Sequence, residues 1–282
     1  MKHALSRRTF LTASAALAAA PSALFAAKKP VIGLELYSVR TELAKDLPGT
    51  LKAVAQMGYP AVEFFGTYAD WKLDYAKEVR KILDDLHLTA LSAHTGAKYF
   101  AKDELARVAE LNLAIGSRYV IMSSAGRVNT LDGWKKVAET LAAADAQLKP
   151  LKLRTGFHNH ALEFTPLEGK RPVEVLAANT PRSVVLQLDV GTCLQAGSAP
   201  IAWVKANPGR IVSIHCKDWK EAPGHEGYRI LLGDGYQHWK QLIQTAAKSG
   251  GLEYVLVEQE VFSLPPFDTA WKCLENLKKI LG

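Results

Sequence analysis

Residues 184–216 read VVLQLDV (184–190), GTCLQAGSA (191–199), PIAWVKANPG (200–209) and RIVSIHC (210–216). The first and last pieces are short, apolar and rich in β-branched residues, and each carries a polar residue near its end, Asp189 and His215. The piece between them, 199–206, reads as a helix. Two apolar strands joined by a helix form a parallel pair, because parallel strands need a crossover connection. The step from Asp189 to His215 is 26 residues.

Working outward, the same unit recurs. Strands are expected at 31–37, 61–65, 88–94, 118–123, 152–159 and 253–258 as well, and helices near 48–57, 70–86, 101–115, 131–148, 172–179, 236–249 and 267–281. Markers near the strand ends (Tyr37, Glu63, His94, Ser123, His158, Asp189, His215, Glu258) are spaced by 26 to 43 residues. Eight βα repeats predict a (β/α)8 TIM barrel, one α/β domain from about residue 29 to 282. A doubly wound sheet would carry a glycine-rich first turn, and Gly33 stands alone in the first strand with no G-x-G-x-x-G after it.

Residues 1–27 read as an export signal. Arg7 and Arg8 precede an alanine-rich apolar run, Phe10 to Ala20, that is too short and too weakly apolar to span a bilayer. Paired arginines before Phe10-Leu11 match a twin-arginine signal. The expected location is therefore the periplasm or another exported compartment, with no membrane attachment after signal removal. The net charge of the 282-residue chain is +7. Removing Lys2, Arg7 and Arg8 lowers it by three to +4, and no basic run of five residues exists, so nucleic acid is not an expected partner. Three widely spaced cysteines, Cys193, Cys216 and Cys273, do not make a disulfide framework. The oligomeric state stays open, a homo-oligomer included.

Barrel sites lie at the C-terminal strand ends, and the polar residues of this chain concentrate there. Residues two apart share a strand face. Glu35 pairs with Tyr37, Ser92 with His94, His158 with His160, Gln187 with Asp189, His215 with Lys217 and Glu258 with Glu260, while Glu63 stands alone in its strand. Glu, Asp, His and Glu converging on one mouth make a mixed oxygen and nitrogen donor set for a divalent cation. With Lys217 as the nearby counter-charge, such a set repels itself unless a cation joins it.

The stretches Gly33-Leu34-Glu35-Leu36-Tyr37-Ser38-Val39-Arg40, Phe157-His158-Asn159-His160-Ala161-Leu162-Glu163-Phe164, Leu188-Asp189-Val190-Gly191, His215-Cys216-Lys217-Asp218 and Val257-Glu258-Gln259-Glu260 resemble the sugar phosphate isomerase/epimerase family, within the xylose isomerase-like barrel superfamily. The resemblance implies one divalent metal, manganese, magnesium, cobalt or zinc, on Glu163, Asp189, His215 and Glu258. Strand parity leaves His158 or His160 as alternatives to Glu163, and Glu260 as the neighbour of Glu258. It further implies proton transfer beside a carbonyl through an enediolate, with Glu163 and Glu258 as the acid/base pair. Lys217 would hold a substrate oxygen, and His94, His158, His160, Glu63 and Glu260 would bind the sugar. Loop 218–235, with Trp219 and His225, would be a lid or a wall. Glu35 would add charge low in the barrel or pair with Lys217. Export favours an unphosphorylated small carbohydrate: a free sugar, a polyol or a keto-sugar. A lyase acting on oxidised glycosides and a non-catalytic carbohydrate-binding barrel are the alternatives. A multi-zinc endonuclease is not expected, since the chain offers too few histidine ligands and no basic groove.

Overall fold

The computed structural model describes residues 29–222, 224–249 and 251–282. The proposed signal, 1–27, lies outside these residues. Eight parallel strands close in sequence order: β1 (Val31–Glu35), β2 (Ala61–Phe64), β3 (Thr89–Gly96), β4 (Tyr119–Ser124), β5 (Arg154–His158), β6 (Val185–Asp189), β7 (Ser213–Cys216) and β8 (Tyr254–Val257). Ladder contacts between β8 and β1, from Val31 opposite Tyr254 to Leu34 opposite Val257, complete the barrel. The expected (β/α)8 architecture is the observed one.

Local chemistry sets the helices between the strands. Thr130 caps the Leu131–Leu148 helix by accepting from the Gly133 amide at 3.1 Å. That helix buries Trp134, Ala138, Leu141, Ala144 and Leu148, a stripe at three- and four-residue spacing that faces the strands. The Lys102–Ile115 helix stops at Gly116, whose φ of +80° is the left-handed conformation that glycine adopts without a Cβ penalty. No helix among the described residues is long and apolar enough to cross a membrane.

Two apolar layers flank the strands. A large shell seals them against the helices and includes Cys193, Cys216 and Cys273, all free and buried. A smaller cluster of Tyr119, Ile121, Val185, Val212, Tyr254 and Leu256 plugs the lower barrel. Gly156 makes room for that plug. A Cβ there would meet the Val185 Cβ and carbonyl oxygen at 2.6 Å. The barrel interior is thus a packed floor, and the polar strand ends sit on top of it.

Candidate active site

Above the apolar plug the ends of all strands but β4 contribute buried polar side chains. Glu35, Glu63, Ser92, His94, His158, Gln187, Asp189, His215, Lys217 and Glu258 are all buried. A register shift helps to assemble them. Val62 pairs with Ala90, but Glu63 pairs with Ser92, so Leu91 is an extra residue in β3. Such a bulge re-aims the side chains beyond it. Leu91 packs on the apolar plug, while the Ser92 hydroxyl donates to Glu63 Oε1.

Three donor atoms, one each from His158, Asp189 and Glu258, lie within 4.8 Å of one another. His158 Nε2 is 3.9 Å from Asp189 Oδ2. His215 joins them through its Nδ1, 2.8 Å from Glu258 Oε2. Asp189 Oδ2 also touches Lys217 Nζ at 2.6 Å, yet out of hydrogen-bond alignment, so this buried oxygen has no aligned partner. Lys217 Nζ lies 3.5 Å from Glu258 Oε2 and 2.5 Å from Glu260 Oε1. Nitrogen and carboxylate donors at these separations fit a divalent ion of the zinc, cobalt, manganese or magnesium type.

Electrostatics set the charge states in the metal-free chain. Burial opposes protonation of His215, but Glu63 and Glu258 on its two sides outweigh burial and raise it to about 10. The ring is therefore a buried imidazolium. Burial, reinforced by the neighbouring His215 and His94 rings, pushes His158 well below the usual histidine range and keeps it neutral. Burial also penalises the Glu258 carboxylate, yet Lys217 and His215 hold it far below the ordinary value. Lys217 is raised well above its ordinary value because Asp189, Glu258 and Glu260 overcome its desolvation. Protons and an ammonium thus supply the positive charge that this carboxylate-rich layer demands.

A cavity of about 460 Å³ opens over the layer. Glu35, Tyr37, His94, Ser123, His158, His160, Glu258 and Glu260 are among its lining residues. His160 is exposed at the mouth and stacks edge-on to His158, with ring centroids 5.0 Å apart.

Two sequence expectations are corrected. Glu163 is not brought to the cluster or to the cavity wall. β5 ends at His158 and the chain turns into a one-turn helix, Ala161–Phe164. The Glu163 carboxylate folds back to accept from the His160 amide at 2.7 Å. His158 stands in the strand-5 position instead. Glu63 does not line the sugar cavity either. It is fully buried beneath His94 and His215, 3.2 Å and 2.7 Å from their Nε2 atoms. Glu35 forms no ion pair with Lys217 among the described contacts. Burial, with Glu63 beside it, raises its carboxyl well above the usual range.

The loop after β7 is tied in place, and none of its described residues is among those lining the cavity. The Asp218 carboxylate accepts from the amides of Trp219, Gly233, Gly235 and Tyr236 and from Trp239 Nε1, over 2.7–3.2 Å. Gln259 Nε2 donates to the carbonyls of Tyr228, Ile230 and Val261. Trp219 is not among the cavity-lining residues. Two features escaped sequence reasoning: Asp218 as the fastener of this loop, and Gln187, whose amide contacts Glu63, His94 and His158 at once.

Comparison with known proteins places this geometry. The profile of the xylose isomerase-like TIM barrel family matches residues 51–279. The rhizopine catabolism protein MocC of Rhizobium meliloti is 24% identical over 255 residues, 78% of this chain and 77% of that protein. A sugar phosphate isomerase/epimerase structure from Parabacteroides distasonis superposes with a TM-score of 0.74 at 24% identity, covering 88% of this chain and 93% of the other. The 3-keto-D-glucoside 4-epimerase of E. coli superposes at 0.68 and 14% identity, covering 89% and 100%. The probable 3-DHS dehydratase of Bacillus anthracis does so at 0.69 and 12%, covering 88% and 98%. At these identities the structural likeness speaks for the fold.

Proposed function

This chain belongs to the xylose isomerase-like TIM barrel family, and from that premise we propose that it is a divalent-metal-dependent isomerase or epimerase of a free sugar, polyol or keto-sugar. The observation that carries the reading is the convergence of His158, Asp189 and Glu258 donors within 4.8 Å, under an open cavity. His158 Nε2, Asp189 Oδ2, His215 Nδ1 and Glu258 would hold the ion. A divalent cation supplies Lewis-acid stabilisation of negative charge developing on substrate oxygens.

The chain's own groups do the rest. Glu258, kept ionised by Lys217 and His215, takes the proton from the substrate carbon beside the carbonyl. His160, exposed two residues beyond β5, lines the same cavity from a strand three places away from β8 and returns a proton there. Glu260, which lines the cavity and is held at 2.5 Å by the buried Lys217, orients substrate hydroxyls. The cavity volume lies within the range of small-molecule sites.

The test is exchange. Free and 3-oxidised sugars incubated in deuterated water with manganese should gain deuterium at the carbon beside the carbonyl. A product lighter by water would select elimination, the chemistry named for the dehydratase neighbour. Absence of exchange and of turnover across the screen, with metal bound, would leave the non-catalytic carbohydrate-binding barrel.

The proposal includes export, which favours unphosphorylated substrates. Arg7→Lys combined with Arg8→Lys should strand the precursor inside the cell. Unchanged export, followed by fractionation and immunoblotting, would point to the general secretory route.

A further inference from the structure

We propose that Glu63 and Gln187 are positioning residues, an acceptor pair beneath the histidines that decides which ring nitrogen of His215 and of His158 turns toward Asp189 and Glu258. This rests on the metal reading above and deepens it. Neither side chain lines the cavity, and each is at most 1% exposed, so each acts through the rings it touches.

The argument is one of donors and acceptors. An ionised carboxylate only accepts, with about four lone-pair positions on its two oxygens. Besides the Glu35 carboxyl, Glu63 is met by four donors: the Ser92 hydroxyl, Gln187 Nε2 at 2.9 Å, His94 Nε2 at 3.2 Å and His215 Nε2 at 2.7 Å. A ring nitrogen that close to an acceptor-only oxygen must carry hydrogen, even where the approach is off axis. His215 therefore carries hydrogen at Nε2, and by the same measure at Nδ1, 2.8 Å from Glu258 Oε2; it is the Nδ1 proton that a cation seated beside Glu258 would displace, while Nε2 keeps its own against Glu63.

Gln187 extends the same logic to His158. Its NH2 group is committed to Glu63, so its Oε1 faces the rings. That oxygen lies 3.1 Å from His158 Nδ1 and 2.6 Å from His94 Nε2, and both nitrogens must donate to it. His158 then presents a bare Nε2 toward Asp189 Oδ2. The opposite tautomer of either ring would aim an N–H at the cation.

Outer partners of metal-bound histidines typically contribute 10- to 100-fold to metal affinity. The test uses the chelator-treated full chain titrated with zinc against a competing indicator. Glu63→Gln and Gln187→Met should each weaken zinc binding roughly 10- to 100-fold. In the first, the new amide must turn an N–H against one of the donors around it; the second removes the acceptor for His158 Nδ1 and changes no charge. Long-range proton–nitrogen spectra of histidine-labelled, zinc-loaded wild type should place hydrogens on His215 Nε2 and His158 Nδ1. Each variant should lose the pattern on its own ring. Folded variants with zinc affinity within about twofold of wild type and unchanged tautomers overturn the proposal, even if they melt earlier. Should Glu63→Gln fail to fold, Gln187→Met decides through His158. A wild-type chain that binds no zinc overturns the metal reading, and this inference with it.

Discussion

Glu258→Gln is expected to lower turnover by about 10²–10⁴-fold, the usual contribution of a positioned general base, while still binding substrate. The variant keeps the shape and one oxygen donor. It loses the group that receives the proton. Metal affinity should also fall, because a charge leaves the donor set, so turnover must be compared at saturating metal. Under the pull of Lys217 and His215 the carboxyl loses its proton far below the usual carboxylate range. That keeps it in the basic form across the working pH range but makes it an intrinsically weak base. The match in acidity has to come from the substrate side, whose carbon acid would be strengthened by a divalent ion held at His158, Asp189, His215 and Glu258. A Glu258→Gln enzyme that retains near-wild-type turnover would remove Glu258 from the chemistry. Glu260 would then be the next base to test, since it lines the same cavity from the same strand end.

Much of this arrangement was legible in the sequence because strand periodicity is local. Asp189, His215 and Glu258 each follow an apolar β-branched run, and alternation alone aims them inward. Glu163 was misplaced for a related reason. The run 152–159 looks like unbroken strand, whereas β5 closes at His158 and the next turn is helical. There the nearest unsatisfied group for Glu163 is the His160 amide, an N-terminal cap that competes with any distant ligand role.

Gln187 passed unnoticed because a neutral amide carries no charge signature. Parity did place it one inward step below Asp189, but its value comes from neighbours on β2, β3 and β5 that only the closed barrel brings together. The Leu91 bulge, which puts Ser92 opposite Glu63, has no local marker at all. Asp218 is of the same kind. Four of its donors arrive from residues 233–239, beyond the reach of any short motif.

Lys217→Met separates the two explanations of the buried charge, a cation site and a closed salt-bridge network. The ammonium is 2% exposed and touches Asp189, Glu258 and Glu260. Deleting one partner of a buried ion pair strands the others and typically costs about 3–5 kcal/mol. Chelator-treated Lys217→Met should therefore unfold at distinctly lower denaturant than wild type under the same conditions. The two explanations diverge when metal is added. Asp189 Oδ2 and Glu258 Oε2 are both contacts of Lys217 and donors to the proposed ion, so removing the ammonium removes a repelling charge beside that ion. A cation site then predicts tighter manganese or zinc binding in the variant and recovery of most of the lost stability on saturation, since ligand binding to the folded state stabilises it by mass action. Turnover should stay low, because Glu260, the cavity-lining group that orients substrate hydroxyls, has lost its partner. A closed network predicts no recovery with any divalent ion, and that outcome in denaturant titrations would assign the buried positive charge to Lys217 and the His215 imidazolium, with no cation beside them.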